Sequence, residues 1–494
     1  MRRRILCVTT LVLLATFASP SPAIEPPASQ ALEWEPYTGR TAQRGQIEGQ
    51  VARITVPENR DRPDGPKIEI AFVRYRSSNP EAGPPIFYLA GGPGGSGVSR
   101  ASFFATHPAL DLLAHGDVIG VDQRGVGLSK PNLFEPEFTY DLPADRAITA
   151  KDLIEAYGGA VSECAAYWKK QGVDLASYNT AESADDLDAV RRALGVDKIA
   201  IYGESYGSHL ALAYLRSHGK HVARAVLSRC EGPDHTWKYP STVQRCLERL
   251  STLVAADATV GEAMPDLAGT VKQLLDKLDK EPKTLTLRDD RKVHIGKFDL
   301  QLILSQFLGG SREMQTIPAA MHQLSQGDWS LLANIVDRYR GDRITGAMPI
   351  WMDMASGATA GRLARIEREA RDPKNILGDA INFPYHPALR SRCGNPDLGD
   401  AFRGPLRCDA PVLMVSGDLD AKTPPQNVDD IVGGLPNGIH VIATNTAHDS
   451  RELESREYRN LLRTFLGGGK VESKTIELPP LRFFPVDTDM TGGR

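Results

Sequence analysis

At 494 residues the chain exceeds a single small core and suggests about two to four domain-sized units, or one large domain with an insertion. The composition, 41% hydrophobic and 24% charged, is that of a soluble globular protein. A net charge of −4 gives no electrostatic case for nucleic acid or an anionic membrane as partner, and both are set aside.

The chain opens on Met1-Arg2-Arg3-Arg4, then an apolar run from Ile5 to Ala18, then Ser21-Pro22-Ala23. That is the layout of a secretory signal peptide over 1–23, with an apolar part short for a membrane span. A secreted or periplasmic protein without a membrane anchor after cleavage is expected. Five cysteines would remain, and an oxidising compartment predicts two disulfides and one spare thiol. Pairing cannot be read from sequence; proximity favours Cys230–Cys246 and Cys393–Cys408. No CxxC occurs and the 11 histidines show no HxxxH or HExxH, so neither metal nor cofactor is expected.

Gln46–Pro57 and Lys67–Arg76 roughly alternate apolar and polar residues around a turn-rich stretch, which predicts an antiparallel hairpin. Short apolar strands follow at Pro85–Leu89, Asp117–Val121, Lys198–Tyr202 and Ala223–Leu227, with helical patterns between them, notably Ala184–Leu194. This alternation implies a parallel sheet with helices on both faces. From about Gly232 to Arg390 the pattern is mostly helical, interrupted by a possible hairpin at Thr284–Ile295. Strand signals return at Pro411–Ser416 and Ile439–Ala443. The expected organisation is an α/β core over 24–231 and 391–470, a helical lid over 232–390, and a peripheral tail over 471–494.

The chemistry concentrates at strand ends. Gly203-Glu204-Ser205-Tyr206-Gly207 lies between a strand and an Ala/Leu-rich helix, the setting of a tight turn that lifts a serine hydroxyl clear of the backbone. A nucleophilic serine needs a base and a group that orients the base. After the strand at 411–416 comes Gly417-Asp418-Leu419-Asp420, and after 439–443 comes Thr444-Asn445-Thr446-Ala447-His448. Ser205, His448 and Asp420 are the expected triad. Asp418 is the rival acid, better explained as a turn cap. The oxyanion formed on attack needs N–H donors. Tyr206 supplies one, and Gly92 in Ala90-Gly91-Gly92-Pro93-Gly94-Gly95-Ser96-Gly97 the other, with Gly94 the alternative. A phosphate-binding loop is disfavoured because no Lys-Ser/Thr follows.

Gly91–Gly97, Asp122-Gln123-Arg124-Gly125-Val126-Gly127-Leu128-Ser129, Gly203–Gly207, Gly417–Pro424 and His448 occur in the order found in the prolyl iminopeptidase / tripeptidyl aminopeptidase-like branch of the α/β-hydrolases. The chain resembles that branch over most of its length outside the lid. The resemblance implies an α/β-hydrolase fold with a helical lid, and a secreted serine exopeptidase cutting at peptide N-termini through Ser205, His448 and Asp420. It also implies acidic lid residues that grip the substrate's α-amino group. Glu231 and Asp234 are weak candidates, with a solvated loop the plainer reading. Ala447 and Asp449 depart from the glycines common beside the family's histidine, which puts loop shape in question. Glu204 also resembles the acid beside the nucleophile of serine carboxypeptidases; a role bracing the turn is equally open. The alternatives to an aminopeptidase are a secreted carboxylesterase or lipase-like hydrolase, a carboxypeptidase-like enzyme, and a binding protein on the same scaffold.

Overall fold

The computed structural model describes residues 32–488, except 288–289, 341–342, 345 and 395–396. The expected signal peptide lies outside the described residues. Ten strands form one sheet: β1 (Glu35–Arg40), β2 (Gln46–Pro57), β3 (Lys67–Tyr75), β4 (Ile86–Leu89), β5 (Val118–Val121), β6 (Ile199–Glu204), β7 (Val222–Ser228), β8 (Val412–Gly417), β9 (Gly438–Ala443) and β10 (Lys474–Ile476). Their order is β1-β2-β3-β5-β4-β6-β7-β8-β9-β10. The first three strands and the β3–β5 pair are antiparallel, and every pair from β5 to β10 is parallel.

The central strands are apolar throughout because both their faces are covered. In β4, Phe87 and Leu89 enter one core while Ile86 and Tyr88 enter the opposite one. In β6, Ile199 and Ile201 face the first core, Ala200 and Tyr202 the second. The two-residue period of a strand produces this division. Helices α1 (Gly97–Thr106), α2 (Ala150–Lys170), α3 (Thr180–Ala193) and α4 (Tyr206–His218) supply the covering residues before β7.

Between β7 and β8 the chain is mainly helical, with α5 (Pro240–Ala255), α6 (Leu267–Lys280), α7 (Lys297–Phe307), α8 (Ser311–Ser325), α9 (Ser330–Tyr339), α10 (Met348–Ser356) and α11 (Ala360–Ala370). A hairpin at Lys283–Thr286 and Lys292–Ile295 interrupts them. This segment has its own apolar core, which also takes in Leu419, Ala421 and Ala447 from the loops after β8 and β9.

Two expectations are corrected. The tail is not peripheral: β10 pairs in parallel with β9, and Leu481 and Phe483 are buried in the helical core. The cysteine pairing also fails, since Cys164, Cys230, Cys246, Cys393 and Cys408 are all free thiols. Nearness in sequence did not bring the sulfurs together. Cys230 Sγ donates to the Leu227 carbonyl and Cys246 Sγ to that of Leu419. Cys393 is buried in the sheet's core, whereas Cys408 lies half-buried against Gly219 at the end of α4.

Candidate functional site

Ser205 sits between β6 and α4 with φ 54° and ψ −126°, a conformation a non-glycine residue holds at a cost of roughly 1–3 kcal/mol. The two glycines of the motif make this turn possible by close approach. A Cβ on Gly203 would lie 2.6 Å from the Gly207 carbonyl oxygen, and one on Gly207 only 2.1 Å from that of Leu89. The serine amide is secured by the Ser228 carbonyl at 2.9 Å.

Three distant segments meet at this hydroxyl. Ser205 Oγ is 2.9 Å from His448 Nε2, and His448 Nδ1 is 2.8 Å from Asp420 Oδ2. This arrangement suits a neutral imidazole that donates from Nδ1 to the carboxylate and accepts from the serine at Nε2. Asp420 also accepts from Thr423 Oγ1 at 2.7 Å and from the amides of Lys422 and Thr423, both at 2.8 Å. Burial raises the Asp420 carboxyl, but His448 and the Thr423 donors outweigh it and hold the group down at about 2. Asp418 makes a different contact. Its carboxylate faces Arg249 of α5 at 3.7 Å, and burial pushes it upward.

The glycine-rich loop after β4 abuts the serine: a Cβ on Gly91 would stand 3.1 Å from Ser205 Cβ. Gly92 has φ +134° and lines the cavity described below, while Gly94 packs against Pro349 and Phe134. Tyr206 opens α4, where the first N–H groups lack intrahelical acceptors. The loop is tied down by Asp122, which accepts from Ser96 Oγ (2.6 Å) and from the amides of Val98 (3.0 Å) and Leu128 (2.8 Å). Arg124 of the same motif is fully buried and grips both oxygens of Asp186 at 2.8 and 2.9 Å.

Glu204 is buried beneath the turn and ion-paired with Arg229. It also accepts from Tyr88 Oη at 2.6 Å and lies 3.2 Å from Arg100. Arg229 in turn donates to the Asp449 carbonyl (2.9 Å) and Ser450 Oγ (3.0 Å), so one ion pair links the serine turn to the histidine loop. Asp449 and Ala447 now have a physical account. Asp449 Oδ2 accepts the Ser311 amide at 2.8 Å at the start of α8, and the Ala447 amide donates to Ser311 Oγ at 3.2 Å. The Asp449 carboxylate thus docks the histidine loop on α8 through a contact glycine could not make, whereas Ala447 contributes a backbone amide there and a methyl buried in the helical core.

A cavity of about 470 Å³ begins at Gly92 and runs between α2, the loop after β8 and the helical segment, walled by Tyr157, Trp237, Phe383 and Tyr385 among others. Neither Glu204 nor Glu231 is in its lining. Glu231 is buried and paired with Lys238 at 3.2 Å, and Asp234 accepts the Thr359 amide at 2.6 Å at the start of α11. Among the described residues the acid in the wall is Asp353, which sequence reasoning missed. Every other residue of α10 is buried, and Asp353 interrupts that apolar helix with a carboxylate. The signal was a lone acid inside Met348–Ser356. Asp353 makes no hydrogen bond or ion pair through its side chain among the described residues, and burial beside Glu231 pushes its carboxyl well up.

A family model described as the alpha/beta hydrolase fold matches residues 84–453. The chain is an α/β-hydrolase. The hydrolase is 31% identical over 205 residues to serine protease Hip1 of Mycobacterium tuberculosis, a match covering 38% of each chain. It is 31% identical over 197 residues to a tripeptidyl aminopeptidase of Streptomyces coelicolor, covering 38% of this chain and 36% of that one. Carboxylesterase B of Mycobacterium tuberculosis is 33% identical over 153 residues, covering 29% and 28%. The matched part of the hydrolase thus spans less than two fifths of these curated relatives. Among the described residues no helix is long and apolar enough to cross a membrane, and no cluster of three metal-binding side chains occurs.

Proposed function

We propose that the hydrolase is an exported serine aminopeptidase that cuts residues or short peptides from peptide N-termini. His448 Nε2 takes the proton of Ser205 as Oγ attacks the scissile carbonyl, and Asp420 stabilises the imidazolium that forms. The Gly92 and Tyr206 N–H groups receive the oxyanion. Collapse of the tetrahedral species breaks the C–N bond, His448 returns the proton to the leaving amine, and the acyl group stays on Ser205. Water activated by His448 then releases it.

One observation carries the choice of aminopeptidase over other serine hydrolases: the partnerless Asp353 carboxylate in the wall of the cavity that starts at Gly92. An acyl chain seated on Gly92 would place its α-ammonium within the same enclosure. A cation arriving there gives a buried carboxyl the charge partner it lacks. The similarity to a tripeptidyl aminopeptidase supports the same reading.

The test is a set of aminoacyl and tripeptidyl p-nitroanilides with free or acetylated amino termini. Free termini should be preferred by roughly tenfold to a hundredfold, the range for a charge-assisted contact. Asp353→Asn should erase most of that preference. Equal cleavage of free and acetylated substrates by the native protein would count against it. The second reading, a carboxylesterase, is favoured by the similarity to carboxylesterase B; it predicts rapid turnover of p-nitrophenyl esters with no effect of acetylation.

A further inference from the structure

Among the described residues that line the cavity, cations outnumber acids: Lys238, Arg340, Arg343 and Lys422 stand against the carboxyl group of Asp353. Three of those cations are already engaged. Lys238 is paired with Glu231 at 3.2 Å, Arg340 with Asp299 at 3.0 Å and Arg343 with Glu137 at 2.8 Å. The Lys422 ammonium makes no hydrogen bond or ion pair among the described residues.

Lys422 also stands close to the reacting groups. Its Nζ would lie 3.0 Å from a Cβ on Gly309, the residue whose carbonyl accepts the His448 amide at 3.1 Å. Its backbone N–H donates to Asp420, so the main chain serves the acid and the side chain is left to the cavity. Burial lowers the Lys422 ammonium from its usual range, and the Asp420 and Glu313 carboxylates, which act the other way, do not restore it. Such a group gains most from an anion that arrives with the substrate.

We propose that Lys422 is a specificity-determining residue, selecting substrates whose released N-terminal fragment carries a carboxylate side chain at or next to the bond that is cut. The inference rests on the aminopeptidase reading, which puts the acyl part of the substrate inside this cavity. Asp353 and Lys422 then divide the labour: one meets the terminal ammonium, the other an aspartate or glutamate side chain.

The experiment measures kcat/KM on p-nitroanilides of Ala, Asp, Glu and Lys, and on Ala-Ala-X p-nitroanilides with the same four residues at X. The quantity read is the ratio of acidic to neutral substrate within one preparation, so the folded fraction cancels. Lys422→Met should lower the ratio by roughly tenfold to a hundredfold. Lys422→Arg should retain most of it, and Lys422→Glu should move the preference toward the Lys substrates. A ratio that is the same in the native protein, Lys422→Met and Lys422→Glu would overturn the proposal. The acetylated forms of the same substrates form a separate arm. If acetylation is without effect, the aminopeptidase reading falls, while the charge ratio across the Lys422 variants can still be read on the acetylated set.

Discussion

Ser205→Ala, His448→Ala and the double variant should all fall to one common floor, about a millionfold below the native kcat. The hydroxyl and the imidazole are 2.9 Å apart and, in the proposed mechanism, act on one proton. Losing either partner removes the same step, and losing the second has nothing further to remove. The residual rate would come from binding and the oxyanion donors, which both substitutions leave in place. Single-turnover kinetics on all three variants checks this. Effects that multiply, with the double variant far below either single one, would mean that the two side chains act independently.

The second large effect separates the two acids of the loop after β8. Asp420→Asn should lower kcat by about ten-thousandfold, because an amide in that place lets the imidazole settle in the wrong tautomer. Asp418→Asn should stay within about threefold. It loses a partly exposed ion pair with Arg249, worth at most about 1 kcal/mol, while an amide oxygen there can still accept from the Asn445 and Thr446 backbone. The 2.8 Å contact from His448 reaches Asp420, which is also held ionised by three further donors. Steady-state rates of the two variants decide the matter, and the reverse order would reassign the acid.

Much of the frame was legible because chain-local physics dictates it. Lys198–Tyr202 reads as a strand since both its faces are buried, and Gly203 and Gly207 announce the turn because any side chain there would strike a carbonyl. The hairpin between 46 and 75 follows from alternation, and its observed register pairs Val56 with Ile68. Positions that depend on distant partners were not legible. Asp449 looked like a departure beside the histidine, but its role is to accept the Ser311 amide of a helix more than a hundred residues earlier. Glu204 offered two roles until Arg229 and Tyr88 were seen to enclose it.

The cavity residues were the hardest to foresee. Asp353 sits in an apolar helix and Lys422 beside an expected acid, and neither belongs to a recurrent pattern. Only the packing of the helical segment over the strand ends shows that both side chains share one enclosure with Gly92. The cysteines failed for a related reason. A 16-residue separation says little about whether two Cα atoms come within the roughly 7 Å a disulfide requires.

The proposed chemistry has one chemically isolable consequence, a covalent bond between the nucleophile and an electrophile that mimics the scissile carbonyl. The protein should be treated with a fluorophosphonate, digested, and mapped by mass spectrometry. A single adduct on the peptide containing Ser205, formed in step with loss of turnover and absent in His448→Ala, is the predicted outcome. Full inactivation with the adduct on another residue, or persistent turnover once Ser205 is labelled to completion, would contradict it.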